Sequence, residues 1–586
     1  MCRVDRDARR SFDGLMAHKA REKALAERDP SSEKQSPLGV SGVSAFQGPI
    51  LPPLVTNSMT RYARAALFLA ASLVAPAVRA ASPLTPAAQW SADVAALADD
   101  RNEGRAPGTP GYDRAAAYVV ARFRALGLKP AGVAGYFQPV ALERQTVDQD
   151  ASTAALTVAG GPSAALKVGE AVLISAGGGP RPAGVDAPMV FIGYGLSLPG
   201  QARDDFAGLD LKGKIAVVIS GGPADLSGPV KSQARFARAA RLGQLGAVGL
   251  VTLVTPHQVE IPWARQKLLA RGAGMYLADP ELRETPDGFF TASVDPGAAQ
   301  RLFEGSGRTF AELSALADAS AALPRFDLIP RLSATLVAHR EPLSSPNLVA
   351  VLPGRDPVLK SQYVGVSAHL DHLGVGAAIN GDSIYNGAMD DASGVAAVLD
   401  IAARLKAHRP RRSMLFVIVT AEEKGLLGSY YFARRPTVAK AAIVADLNFD
   451  MPLPLWPLKT VIAQGEAEST LGAAAHAAAA PLGLAVVPDP VPDRNSFIRT
   501  DQFSFVREGV PALAFKFGFA RDTPQFQIEH DWRATRYHAP SDDLGQPGVL
   551  PEEAVRLDEY VAAIARRVAD APDRPHWLPT SVFATP

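Results

Sequence analysis

Residues 367–374 read SAHLDHLG, a histidine closing an apolar run and an acid two residues later. His369 suits a metal ligand, and Asp371 could then hold the other ring nitrogen. The plainer alternative is a hydrogen-bonded histidine at a strand end. His372 reads as a hydrogen-bonding neighbour rather than a ligand. In NGAMDDASG, 386–394, two adjacent carboxylates, Asp390 and Asp391, precede a helical pattern. Such a pair is either an acidic helix start, favoured by the macrodipole by about 0.3–1 kcal/mol, or a carboxylate that bridges two cations. Gly387 and Gly394 would permit the close backbone approach that a bridge needs. In TAEEKGLLGS, 420–429, Glu422 and Glu423 end a hydrophobic run, where carboxylates are costly without cationic partners. Their side chains should diverge, so that one binds metal while the other takes a proton from water. Asp450 leaves another apolar run in LNFDM, and Tyr537 stands beside His538 in RYHAPSDD. Two histidines and three carboxylates make a donor set suited to two Zn²⁺ ions per chain with open positions. Such ions polarise a carbonyl and make hydroxide available near neutral pH.

The elements that must position these groups follow from the pattern around them. SQYVGVSA (361–368), SMLFVIVTA (413–421) and AIVADLNF (442–449) are apolar runs separated by helical patterns, the rhythm of a parallel sheet covered on both faces. In open sheets of this kind the ligand crevice lies beyond the carboxyl ends of the strands. Three successive strands would therefore deliver His369, Glu422 with Glu423, and Asp450 to one rim. Upstream, 87–128 is helical apart from EGRAPGTPG at 103–111, and a helix over 112–126 is expected to end at Gly127. Residues 150–325 change character: MVFIGYG (189–195), KIAVVISGG (214–222) and AVGLVTLV (247–254) alternate with Gly/Pro turns and one helix at 232–246.

The chain has 586 residues, more than one hydrophobic core of roughly 250–300 residues accommodates. A net charge of +1 without long charged blocks gives no support for a nucleic-acid partner. From Met59, MTRYARAALFLAASLVAPAVRAAS has two arginines, an apolar run over 65–77 and the small-residue pattern Val78-Arg79-Ala80. That is the layout of a signal peptide, 59–80, and the run is short of the roughly 20 residues that span a bilayer, so no stable membrane anchor is expected. Residues 1–58 read as a disordered extension, and Met59 as the initiator. The single cysteine, Cys2, lies in that extension, so a chain cleaved after Ala80 has neither a disulfide nor a thiol nucleophile. The expected location is the periplasm or the medium outside.

The series HLD, MDDASG, EEKGLLGS, NFDM and YHAPSDD resembles, in order and approximate spacing, the motifs of M28 zinc metallopeptidases. The resemblance implies His369 and Asp450 on one zinc, Glu423 and His538 on the other, Asp390 bridging, Glu422 as general base and Asp371 orienting His369. Tyr537 is implied more weakly, as a donor to the tetrahedral oxyanion. Residues 103–130 resemble the N-terminal helices of the subgroup with an inserted domain, and VFIGYGLSLPGQARDDFAGLDLKGKIAVVISGGP resembles the protease-associated insert itself. Many relatives have histidine where Gln502 stands. The implied fold is α/β: a three-layer α/β/α exopeptidase domain from 81–150 and 330–586, with a mostly β protease-associated domain inserted at 151–329. The implied activity is aminopeptidase hydrolysis of peptide substrates. A carboxypeptidase or dipeptidase is the alternative if the pocket presents Arg or Lys to a carboxylate rather than acids to an amine. One-metal glutaminyl cyclases share the fold, and a catalytically dead binding protein would have lost these groups. GLDLKGKI, 208–215, lacks the Ser or Thr of a phosphate loop, GxSxG and HExxH do not occur, and His476 belongs to a packing helix.

Overall fold

The computed structural model describes residues 84–584 except 159, 199–202 and 495; the signal segment, Cys2 and the 1–58 extension lie outside the described residues. The central sheet is built from β1 (Phe137–Val147), β2 (Gly274–Leu277), β3 (Ala338–Leu352), β4 (Tyr363–His369), β5 (Ser413–Val419), β6 (Ile443–Phe449), β7 (Thr460–Gln464), β8 (Ala485–Val486) and β9 (Ala512–Phe517). Their order is β2-β1-β3-β5-β4-β6-β9-β7-β8, and the middle four, β5-β4-β6-β9, run parallel. Every residue of β5 and β6 is buried, which is why these strands read as continuous apolar runs rather than alternations.

Helices α1 (Pro86–Leu97), α2 (Pro110–Ala125), α3 (Ser393–Ala407), α5 (Leu471–Ala479) and α8 (Pro551–Asp570) cover one face, where Met414, Phe416 and Ile418 of β5 point. Leu415, Val417 and Val419 point the other way, against α4 (Leu427–Arg434) and α6 (Gln502–Arg507). The result is a three-layer α/β/α arrangement. Three helices open on a Thr-Pro pair: Thr85, Thr109 and, for α7 (Pro524–Thr535), Thr523 each accept a backbone N–H in the first turn, with proline at the first helical position. As expected, α2 stops at Gly127, whose φ of +71° lets Leu128 N–H reach back to the Phe123 carbonyl.

Residues 153–335 form a second sheet of eight strands with its own apolar core. Four of its strands (184–191, 215–219, 249–253 and 290–294) run parallel, with helices Gly228–Phe236 and Arg238–Gln244 where one helix over 232–246 was expected. The module is therefore more α/β than the expected mostly β insert. Two details correct its expected boundaries. Its strand Phe326–Thr335 continues beyond residue 329, and β2, from within the insert, pairs antiparallel with β1 at the edge of the central sheet. No described helix is long and apolar enough to cross a membrane.

Candidate metal centre

The parallel register explains why three strand ends meet. His369 pairs with Val419, and Ser367 pairs with Asn448, so His369, the Glu422-Glu423 turn after β5 and Asp450 after β6 emerge at one level. Asp390 arrives on the loop before α3 and His538 on the loop after α7. The structure thus brings together all the residues singled out from the sequence. His369 Nε2 is 3.3 Å from Asp390 Oδ1, and His538 Nε2 is 3.4 Å from Asp390 Oδ2 and 3.1 Å from Glu423 Oε2. His369 Nε2 is 3.9 Å from Glu422 Oε2.

Two groups could each hold a cation, and they share one carboxylate: His369 with Asp390 and Asp450, and His372 with Asp390 and Glu423, their ligand atoms within 4.8 Å of one another. The second group changes the reading of His372. Its Nδ1 lies 2.6 Å from Glu423 Oε1, yet both ring nitrogens lack a hydrogen bond among the described residues. A neighbour kept for hydrogen bonding would not be left so. His369 Nε2, Asp390 Oδ2 and Glu423 Oε1 are likewise buried without hydrogen-bond partners among the described residues. Orphaned buried donors and acceptors are costly, and several converging on one point are what a cation would satisfy.

The electrostatics agree. Burial opposes ionisation of Asp390 and Glu423, but the surrounding histidines outweigh it and hold both carboxyls well below their ordinary range. Burial likewise opposes charge on His538, but Glu423 and Asp390 lift its ring to about 9. Burial pushes Glu422 well above the usual carboxylate range, reinforced by Asp450, Asp501 and Glu423, and pushes Asp450 up as well. Too many buried acids face too little positive charge, so a divalent cation fits the donor set.

The role of Asp371 differs from the expected one. His369 Nδ1 is 3.0 Å from the Asp371 backbone carbonyl, whereas the carboxylate Oδ1 is 4.0 Å away. The carboxylate turns instead to the next strand end, accepting Glu422 N–H at 3.0 Å and Glu423 N–H at 3.3 Å. Asp371 thus ties the Glu-Glu turn to the His369 loop, and burial lifts its carboxyl to about 6. Tyr537 packs on His538, ring centroids 3.9 Å apart, and its hydroxyl accepts from Arg499 Nη2 at 3.1 Å. Gln502 is fully buried and bonds the Phe497 carbonyl and Thr500 hydroxyl within its own turn.

Asp542 and Arg105 were not singled out from the sequence, and Asp391 was named only as the neighbour of Asp390. Asp542 accepts the N–H groups of Met389 (2.9 Å) and Asp390 (3.0 Å). Asp391 Oδ1 accepts from Gly394 and Met451, joining the Asp390 loop to the Asp450 loop. Arg105, fully buried, donates to the carbonyls of Leu97, Leu370, Asn386 and Gly387, gripping both loops that carry ligand candidates. A charged residue inside EGRAPGTPG was the available signal for Arg105, and the first acid of the SDD run for Asp542. Gly387 has φ +60°, and a Cβ there would lie 2.2 Å from the Asp390 carbonyl oxygen and 2.5 Å from His372 Cγ. Only glycine fits that turn.

Residues 347–563 match the family model described as Peptidase family M28. Among curated proteins, the chain is similar to leupeptin-inactivating enzyme 1 of Streptomyces exfoliatus, 39% identical over 18% of this chain and 22% of the relative. It is 37% identical to a probable zinc metalloprotease of Pyricularia oryzae over 19% of this chain and 21% of that protein. A probable leucine aminopeptidase 2 of Aspergillus fumigatus is 30% identical over 28% of this chain and 32% of its own. The chain therefore spans only about a fifth to a third of the length of these relatives. Among solved structures, the aminopeptidase from Aneurinibacillus sp. strain AM-1 overlaps 85% of this chain and 96% of its own, at 18% identity and TM-score 0.47. The zinc aminopeptidase BSAP of Bacillus subtilis overlaps 83% and 95%, at 17% identity and TM-score 0.41.

Between this M28 segment and the insert lies a cleft of about 730 Å³. Its floor includes Glu423 and His538, and its opposite wall comes from insert residues 173–177 and 258–261.

Proposed function

We propose that the chain is a secreted di-zinc aminopeptidase with a protease-associated insert. The observation that carries this reading is the pair of candidate cation groups sharing Asp390, with one further carboxylate, Glu422, left beside them. His369 and Asp450 would hold one zinc, Glu423 and His538 the other, with Asp390 between them and His372 within reach of the second. Zinc, when bound, supplies Lewis acidity and water ionised near neutral pH.

The remaining chemistry belongs to the chain. Burial and neighbouring acids raise the proton affinity of Glu422, which suits it to take a proton from the attacking water and return it to the leaving amine. Asp371 fixes that turn through its two backbone amides. Tyr537 accepts a hydrogen bond from Arg499, so its own O–H remains free to donate to the developing oxyanion, and burial keeps that hydroxyl protonated. The insert wall lies across the cleft from Glu423 and His538, where it would limit entry to chain ends. Secretion to the periplasm or medium rests on the 59–80 layout, and N-terminal sequencing of the exported protein tests it.

The decisive experiment is zinc content and aminoacyl-p-nitroanilide hydrolysis of the purified protein beside Glu422→Ala. About two zinc ions in both, with activity lost by at least about 100-fold in the variant, is the expected result. Activity retained in Glu422→Ala refutes the base assignment, and a zinc-free wild-type protein refutes the whole reading.

A further inference from the structure

The metal centre opens into a recess of about 30 Å³ whose lining includes Asp390, Asp450, Tyr537 and His538. Glu422, Arg494, Arg499, Arg533 and Lys516 line the same recess. Among the described residues, the acids acting on these four cations besides the metal-site carboxylates are Glu260, from the insert, Glu529 and Asp489. Arg494 Nη1 bonds Glu529 Oε1 at 2.7 Å, Arg533 Nε bonds the same oxygen at 2.5 Å, and Arg499 Nη1 bonds Glu260 Oε2 at 3.1 Å.

Lys516 is the member left over. Its side chain forms no hydrogen bond or ion pair with any described residue, although the charges of Asp450, Glu529 and Asp489 act on it. Its position follows from the sheet: Phe449 of β6 pairs with Phe515 of β9, and one residue further on each strand stand Asp450 and Lys516. The neighbours of Lys516, Phe515 and Phe517, are buried in the apolar core, so the lysine alone turns from that packing towards the recess. Partnering Asp450 does not account for it. Zinc held by Asp390, Glu423 and Asp450 would engage Asp450, which leaves the wall with more cations than acids to pair them. Partly buried cations without partners are costly and mark a place where an anion is received.

We propose that Lys516, with Arg494 and Arg499, receives a carboxylate of the substrate: the acidic side chain of an N-terminal Asp or Glu, or the C-terminal carboxylate of a dipeptide. The inference rests on the peptidase reading and narrows it to anionic substrates. A carboxylate entering the recess replaces water on Lys516 with a charge-assisted hydrogen bond in a low-dielectric pocket.

The test uses the zinc-loaded full chain and two substrate pairs that differ only in charge. Glutamyl- and glutaminyl-p-nitroanilide examine the side chain; Leu-Ala and Leu-Ala amide examine the C-terminus. The expected result is a preference in kcat/KM of about tenfold or more for the charged member of one pair, which identifies the source of the carboxylate. Lys516→Met then lowers that ratio, and Lys516→Arg restores most of it. Ratios within about twofold of unity in both pairs, or a preference that survives Lys516→Met, overturn the inference while leaving the peptidase reading intact. If Lys516→Met does not fold, the wild-type ratios still decide. If zinc is bound and leucyl-p-nitroanilide and all four substrates resist cleavage, the peptidase reading falls, and this inference with it.

Discussion

Asp542 touches no candidate metal position, yet it holds the backbone of the residue on which both cation groups depend. Its carboxylate accepts Met389 N–H, Asp390 N–H and, at 2.7 Å, Gln546 Nε2, all in a fully buried setting. Replacing it with asparagine keeps the volume but turns one acceptor oxygen into a donor. At least one buried N–H then faces another N–H, at a cost of about 1–3 kcal/mol. The Asp390 loop can escape that contact only by moving, which misplaces the shared carboxylate. If the full penalty falls on the bound state, zinc affinity drops by about 5- to 150-fold, and losses of 10- to 100-fold are usual for groups that orient metal ligands. The assay is competition with a zinc-buffering chelator, with circular dichroism to establish that the variant is folded. A folded Asp542→Asn protein whose zinc affinity stays within about twofold of wild type refutes the argument that this carboxylate positions Asp390.

Two further outcomes follow from the same geometry. Gly387→Ala forces a Cβ onto the Asp390 carbonyl and the His372 ring at a φ of +60°, whereas Gly381→Ala meets open space at φ +91°. Gly381→Ala should lose only about 1–2 kcal/mol for its backbone conformation, while Gly387→Ala loses more and also loses zinc; equal losses in denaturant unfolding would count against the close approach. Burial lifts the carboxyl of Asp446 to about 7, despite its hydrogen bond from Ser367. A raised acid means that the folded state holds more protons, so stability is greatest below the unfolded value near 4 and falls as pH rises towards 7, by about 4 kcal/mol in all. Asp446→Asn should therefore gain about 2–3 kcal/mol on wild type between pH 5 and pH 8, and a pH-independent difference would show that this carboxyl is not the cause.

Hydrophobic patterning alone made three strands legible, with their parallel rhythm and the rim on which the chemistry gathers. Fully buried parallel strands must be continuous apolar runs, so β4, β5 and β6 stand out, and the polar residue ending each one has no other side of the sheet to occupy. His369, Glu422, Glu423 and Asp450 were legible for that reason. Asp390 and His538 were legible as motif members, although their approach to the rim depends on loops. Where side chains turn once they arrive depends on the folded domain. Asp371 was expected to face the His369 ring, but two unpaired amides at the next strand end offered its carboxylate better partners. His372 was set aside as a neighbour, but the fold places it in a candidate cation group with Glu423 and Asp390. Arg105, Asp542 and the cationic wall act across separations of up to 282 residues, as between Arg105 and Gly387. Lys516 was visible as a charge inside ALAFKFGF, but its meaning was not. Spacing along one chain records periodicity, and periodicity says which face a residue occupies. Which distant group meets it there depends on strand register and loop closure, and those are set by the packing of the whole domain.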